Sequence, residues 1–290
     1  MTNKDIKDRR FYQARQEAKF AEQQPHETAQ TQDPAYRLAF QDTEFLLREE
    51  LRPVRFQLEL LKTEMLLNEA DIASTLVIYG SARIPEPAKA DAIVEAAEGE
   101  RAKIIAGRLK DKSRYYEEAR KLARLASDCG IVDEDGQRHF VVCSGGGPSI
   151  MEAANRGAAD VGKESIGLNI VLQHEQAPNE YVTPSLSFQF HYFALRKMHF
   201  LMRARALAVF PGGFGTFDEF FETLTLIQTG KMEPIPILLF GKGFWNRVIN
   251  FEELMLEGTI SPRDLELFQM VDDADEAWAV IRRFYELPSD

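Results

Sequence analysis

Twice in this chain of 290 residues, an apolar run of strand length ends in a glycine cluster and passes directly into a helical pattern. The first instance is Val142-Cys143-Ser144-Gly145-Gly146-Gly147-Pro148, and the second is Val209-Phe210-Pro211-Gly212-Gly213-Phe214-Gly215-Thr216. Glycines let the backbone come close to a ligand, and the first amides of the following helix have no partner inside it. Together they form an anion site made of backbone. Glycine also serves tight turns that bind nothing. Thr216 with Glu219, and Ser149 with Glu152, each fit a capping box. A cap alone contributes only ~1 kcal/mol.

The rest of the chain repeats the same alternation. Strand patterns fall at Thr75–Tyr79, Phe140–Cys143, Ile166–Leu172, Leu186–Phe190, Ala206–Phe210, 235–240 and 267–271. Helical patterns occupy 87–111, 114–128, 149–159, 193–203, 217–229, 243–257 and 275–286. Strands alternating with helices predict an α/β fold, a mostly parallel sheet with helices on both faces. Residues 1–34 are polar and mixed in charge, a frayed lead-in with room for a helical piece. Residues 35–70 place Leu38, Phe45, Leu46, Leu51, Val54, Leu58, Leu61, Met65 and Leu66 at roughly helical spacing, with Pro53 expected to split them into two helices. That arm either packs on its own domain or makes an oligomer contact. The division expected is a helical extension over 1–73 and an α/β domain over 74–290.

A net charge of −11 disfavours nucleic acid or an anionic membrane as the main partner. It leaves room for a small phosphorylated ligand held by local donors. Cys129 and Cys143 have no CxxC neighbour, and Cys143 closes an apolar run as a core residue would. No run approaches the ~18 apolar residues of a membrane span, and the first residues lack an apolar signal core. The expectation is a cytoplasmic protein. His26, His139, His174, His191 and His199 form no metal-binding motif, so neither metal nor cofactor is expected. Gly157-Ala-Ala-Asp-Val-Gly162-Lys163 imitates a phosphate loop, but it follows a helix and ends in Glu164 instead of Ser or Thr. No dinucleotide fingerprint follows the first strand.

Asp218 and Glu219 fall in the first turn after the second glycine cluster, where a phosphate would dock, so a nearby cation is needed. Arg196-Lys197 opens the preceding helix and is the candidate. These residues resemble the LOG ("Lonely Guy") family, once widely labelled lysine decarboxylases. Pro211-Gly-Gly-Phe-Gly-Thr-Phe-Asp-Glu219 matches its PGGxGTxxE signature. Tyr79-Gly-Ser-Ala-Arg83, Ser144-Gly-Gly-Gly-Pro-Ser-Ile-Met-Glu-Ala-Ala-Asn-Arg-Gly157 and Leu195-Arg-Lys-Met198 agree with it. The resemblance spans roughly 74–260, and the additions at the N-terminus and at 87–111 resemble its longer bacterial members.

The resemblance implies a Rossmann-like fold, self-association as a dimer or higher oligomer, and hydrolysis of the N-glycosidic bond of nucleoside 5′-monophosphates. Cytokinin riboside monophosphates and AMP would be substrates. By motif, Arg196 and Glu219 match the catalytic pair, and the turn of Gly212, Gly213, Gly215 and Thr216 matches the phosphate site. Gly145, Gly146 and Gly147 would receive sugar-phosphate or base. Lys197 is a candidate helper, and Thr225 a candidate on the base side. Ser144 and Asp218 stand where Thr and Glu are frequent. Glycosidic cleavage passes through an oxocarbenium-like state, which a carboxylate such as Glu219 stabilises while orienting water. Arg196 would position the substrate and offset charge near the phosphate. The competing reading is a non-catalytic nucleotide-binding or molybdenum-cofactor carrier with a similar glycine turn. The decarboxylase label would require a pyridoxal-binding lysine in a phosphate cup, which the sequence does not display.

Overall fold

The structure is a computed structural model and describes residues 11–23, 27–173 and 177–287. His26 and His174, like parts of the 1–34 lead-in, lie outside the described residues. The chain divides into two compact units, Met1–Leu58 and Glu59–Asp290. The first holds α1 (Ala14–Glu22), α2 (Ala29–Gln32) and α3 (Thr43–Leu46), with 3-10 turns at Pro34–Tyr36, Ala39–Gln41 and Glu49–Leu51. Helix α4 (Arg52–Glu69) follows. Pro53 occupies its first turn, where a missing N–H costs nothing, so it starts a helix instead of splitting one.

In the second unit, β1 (Thr75–Tyr79) is buried along its whole length. After it come α5 (Pro87–Glu95), α6 (Glu100–Lys112) and α7 (Arg114–Cys129). The single helix expected over 87–111 is two, because Gly99 takes φ +82° between them, a region that suits glycine. The chain continues through β2 (Val141–Ser144), α8 (Ile150–Ala159), β3 (Ile166–Ile170), β4 (Ser187–Phe190) and α9 (Phe193–Met202). Then come β5 (Ala204–Val209), α10 (Phe214–Gln228), β6 (Ile237–Phe240), α11 (Lys242–Val248), α12 (Phe251–Leu256), β7 (Gln269–Val271) and α13 (Ala274–Phe284). The helix expected over 243–257 is also two, and Asn250 caps the second by accepting from the Glu253 amide at 3.1 Å.

The strand order is β4-β3-β2-β1-β5-β6-β7, and every pairing is parallel. Leu76, Ile78, Val142, Ala206, Ala208 and Leu238 turn into one core with α7, α8 and α13. Val77, Leu207 and Val209, of opposite parity, are fully buried outside that core. Both faces are therefore covered, as a parallel sheet requires. The chain leaves β1 toward β2 on one side and leaves the adjacent β5 toward β6 on the other. Such a reversal opens a crevice beyond the carboxyl ends of the two strands.

Candidate active site

The loops leaving β1 and β5 line a cleft of about 770 Å³ at that reversal. Gly80–Arg83 form one side and Gly212–Thr216 the other, with Met151, Arg196 and Glu219 also reaching in. The two loops are tied together, because the Ser81 amide donates to the Pro211 carbonyl at 3.1 Å. Phe214, Phe217, Phe244 and Val248 add an apolar flank. Phe214 is almost wholly exposed. Nothing in the sequence pattern drew attention to Phe244 or Val248, since their role depends on α11 returning beside α10.

Arg196 of α9 and Glu219 of α10 meet, with Nη1 donating to Oε1 at 3.1 Å. Each side chain is only 12% exposed. Arg196 Nε also donates to the Leu168 carbonyl at 2.7 Å, and its guanidinium lies over the Phe200 ring at 4.9 Å. Tyr79 packs edge-on against the same ring. This fixes the guanidinium on three sides. Burial raises the Glu219 carboxyl to about 7, and Arg196 only partly offsets that rise. A carboxyl poised near neutrality in a cleft is the usual setting of an acid–base catalyst.

Neither capping box forms. α10 begins at Phe214, so Thr216 lies inside its first turn, and no side chain caps the helix. Glu219 is therefore free of a capping duty and turned to Arg196. At α8, Ser149 donates to the Ile84 carbonyl at 2.5 Å, and Glu152 accepts from the Tyr116 hydroxyl at 2.8 Å.

The two glycine clusters differ in what they face. A Cβ added at Gly213 or Gly215 would meet nothing within 4 Å, whereas one at Gly212 would overlap Thr216. The turn thus leaves its outer side open. Gly145, Gly146 and Gly147 do not line the cleft. A Cβ at Gly145 would lie 2.9 Å from Arg196 Nη2 and 2.8 Å from Met151 Sδ. Gly146 takes φ +72° and abuts Asn169. Asn179 holds this loop from the far side, donating to the Gly146 and Gly147 carbonyls at 3.1 and 3.0 Å. The first cluster lets Arg196 pack closely instead of walling the cleft.

A family model described as "Possible lysine decarboxylase" matches residues 151–281. The curated relative cytokinin riboside 5′-monophosphate phosphoribohydrolase LOG2 of Arabidopsis thaliana is 26% identical over 154 residues, which are 52% of this chain and 67% of that protein. LOG3 of the same plant, with the same activity in its name, is 32% identical over 82 residues, 28% of this chain and 38% of its own. Among solved structures, the Moco carrier protein from Chlamydomonas reinhardtii matches at 15% identity and a TM-score of 0.43, over 73% of this chain and 98% of that one. Over part of its length the chain is thus similar to proteins of the LOG family.

Not every residue that the LOG motifs suggest shares the cleft. Lys197 binds Asp218 at 2.9 Å and Glu222 at 3.0 Å. Burial works against its charge, but those two hydrogen bonds raise its pKa above the ordinary value. It lines a separate depression of about 510 Å³ together with Thr225 and Leu226. Thr225 donates to the Phe221 carbonyl there. Among the described residues no lysine lines the main cleft, and those that do line it do not suit a Schiff-base cofactor.

α9 itself is held from α4. Glu59 accepts from the amides of His191 and Tyr192 at 2.7 and 3.2 Å, just before the first turn of α9. At its other end, Arg203 binds Glu64 at 2.9 Å and Asn68 at 2.8 Å. No local signal marks Glu59 or Glu64 as supports, because their partners lie more than 130 residues away in sequence.

Proposed function

We propose that the protein hydrolyses the N-glycosidic bond of nucleoside 5′-monophosphates, releasing a free base and ribose 5-phosphate. The observation that carries this reading is the buried Arg196–Glu219 pair at the reversal of the sheet, beside an open glycine turn. As C1′ loses its bond to the base nitrogen, positive charge grows on the sugar. Ionised Glu219 stabilises that charge and accepts a proton from the water that attacks C1′. Arg196 holds the carboxylate in place. The leaving base takes the bonding electrons and is protonated by solvent. Phosphate docks on the exposed amides at the start of α10. The flank of Phe214, Phe217, Phe244 and Val248 offers the base a stacking surface. A small-molecule nucleotide, not a polymer, fits a cleft of this size. Self-association, expected from the family, remains part of this proposal.

Chromatography of an AMP incubation tests the reading through formation of adenine. Binding of AMP without any release of adenine would instead favour the carrier alternative.

A further inference from the structure

A phosphate in the cleft needs a cation, and neither member of the Arg196-Lys197 pair is available to supply it. The Arg196 guanidinium is engaged by Glu219 and by the Leu168 carbonyl. Lys197 is engaged by Asp218 and Glu222 and opens on the other depression. A dianionic ligand entering a protein of net charge −11 would otherwise meet only backbone amides.

Arg83 lines the same cleft as Gly213, Gly215 and Thr216. Its backbone is fixed on both sides. The Arg83 amide donates to Ser81 Oγ at 3.0 Å, and the next carbonyl, that of buried Ile84, accepts from Ser149 Oγ at 2.5 Å. The loop is joined to the phosphate turn through Ser81 and Pro211. Its side chain, by contrast, is exposed and makes no ion pair among the described residues. A rigid backbone carrying an uncommitted guanidinium, hydrogen-bonded to the loop that presents open amides, is an arrangement for reading an oxyanion bidentately.

We infer that Arg83 is the residue that recognises the 5′-phosphate and so makes the site select nucleoside monophosphates over nucleosides. This inference rests on the nucleotide reading of the cleft. Arg83 binds the group remote from the bond that breaks, so its contribution is the same in ground and transition states and falls on KM.

The experiment compares wild type, Arg83→Gln and Arg83→Lys in two assays. The first is steady-state hydrolysis of AMP and adenosine. The second is calorimetric binding of ribose 5-phosphate and ribose, which requires no turnover. Loss of a charged hydrogen-bonding partner predicts a rise of about 10- to 100-fold in KM for AMP and in Kd for ribose 5-phosphate, with kcat within about threefold. The preference for AMP over adenosine in kcat/KM falls by the same factor, and Arg83→Lys lies between. Unchanged KM and Kd in Arg83→Gln, beside a wild type that binds and cleaves AMP, would overturn the role of Arg83 alone. If wild type binds ribose 5-phosphate through Arg83 but cleaves nothing, the hydrolase reading fails and the phosphate site stands. If wild type binds no ribose 5-phosphate, the inference about Arg83 fails.

Discussion

Arg196 Nη1 and Glu219 Oε1 lie 3.1 Å apart, although one belongs to α9 and the other to α10, and both are almost sealed from solvent. Their neighbours in sequence pair as well, Lys197 with Asp218. Two adjacent cations on one helix therefore meet two adjacent acids on the next. Only the first couple reaches the cleft.

That burial sets the pH dependence of the proposed reaction. Burial raises Glu219 to about 7, and the reaction needs its carboxylate. The rate should rise as pH passes through about 7 and level off above it. The sign is opposite for stability. The folded state holds this proton to higher pH than the unfolded chain does, so Glu219's contribution to stability declines as pH approaches about 7 from below. A pH–rate profile of kcat/KM with a rising limb centred near pH 5 would contradict the first statement.

Gly145→Ala tests the packing behind Arg196. The new methyl would press on Arg196 Nη2 and Met151 Sδ, side-chain atoms and not backbone. Stability should change little, while displacement of the guanidinium lowers kcat by about 10-fold or more. Thermal melting and steady-state kinetics on the same preparation separate the two. Gly213→Ala, where the added carbon meets nothing in the protein, should leave the melting temperature unchanged.

The fold was legible where pattern and burial coincide. Thr75–Tyr79 reads as a strand because every residue is apolar or β-branched, and it is buried throughout. Helix ends were less legible. Thr216 and Glu219 have the spacing of a capping box, yet α10 starts at Phe214 because the glycine turn admits the chain earlier. Gly99 broke a helix whose composition is uniformly helical on both sides. Arg196 and Glu219 were legible through motif spacing. Arg83 stood within a recognised motif but without a role, because its importance depends on which other cations are already paired. The Gly145 cluster was expected to face ligand, and only the packing shows Arg196 occupying that space.

Gly157 looked like the start of a false phosphate loop, and the structure gives it a different duty. It lies on α8 where a Cβ would overlap the Arg120 carbonyl of α7 and stand 2.8 Å from Ala123 Cβ. The nearest obstruction is backbone, so the helices must separate to admit a side chain. Gly157→Ala should destabilise the protein by about 1–3 kcal/mol in urea unfolding, with kcat for the folded fraction preserved. An unchanged unfolding midpoint would contradict the close approach of α7 and α8.

Arg203→Ala should loosen the far end of α9. It removes hydrogen bonds to Glu64, Asn68 and the Ile72 carbonyl. The pair is partly open to solvent, which moderates the cost to about 2 kcal/mol. A differential scanning measurement should show a lower melting temperature. Glu64→Ala together with Arg203→Ala should cost less than the sum of the single changes.

In the proposed reaction Glu219 acts on a bound nucleotide. The most direct test of that role follows AMP turnover by wild type and Glu219→Gln, with AMP binding measured calorimetrically on the same samples. Wild type should release adenine and ribose 5-phosphate in equal amounts. Release from Glu219→Gln should be slower by about 100-fold or more, with binding retained. No adenine from wild type at high enzyme concentration, or equal release by the two proteins, would contradict that role.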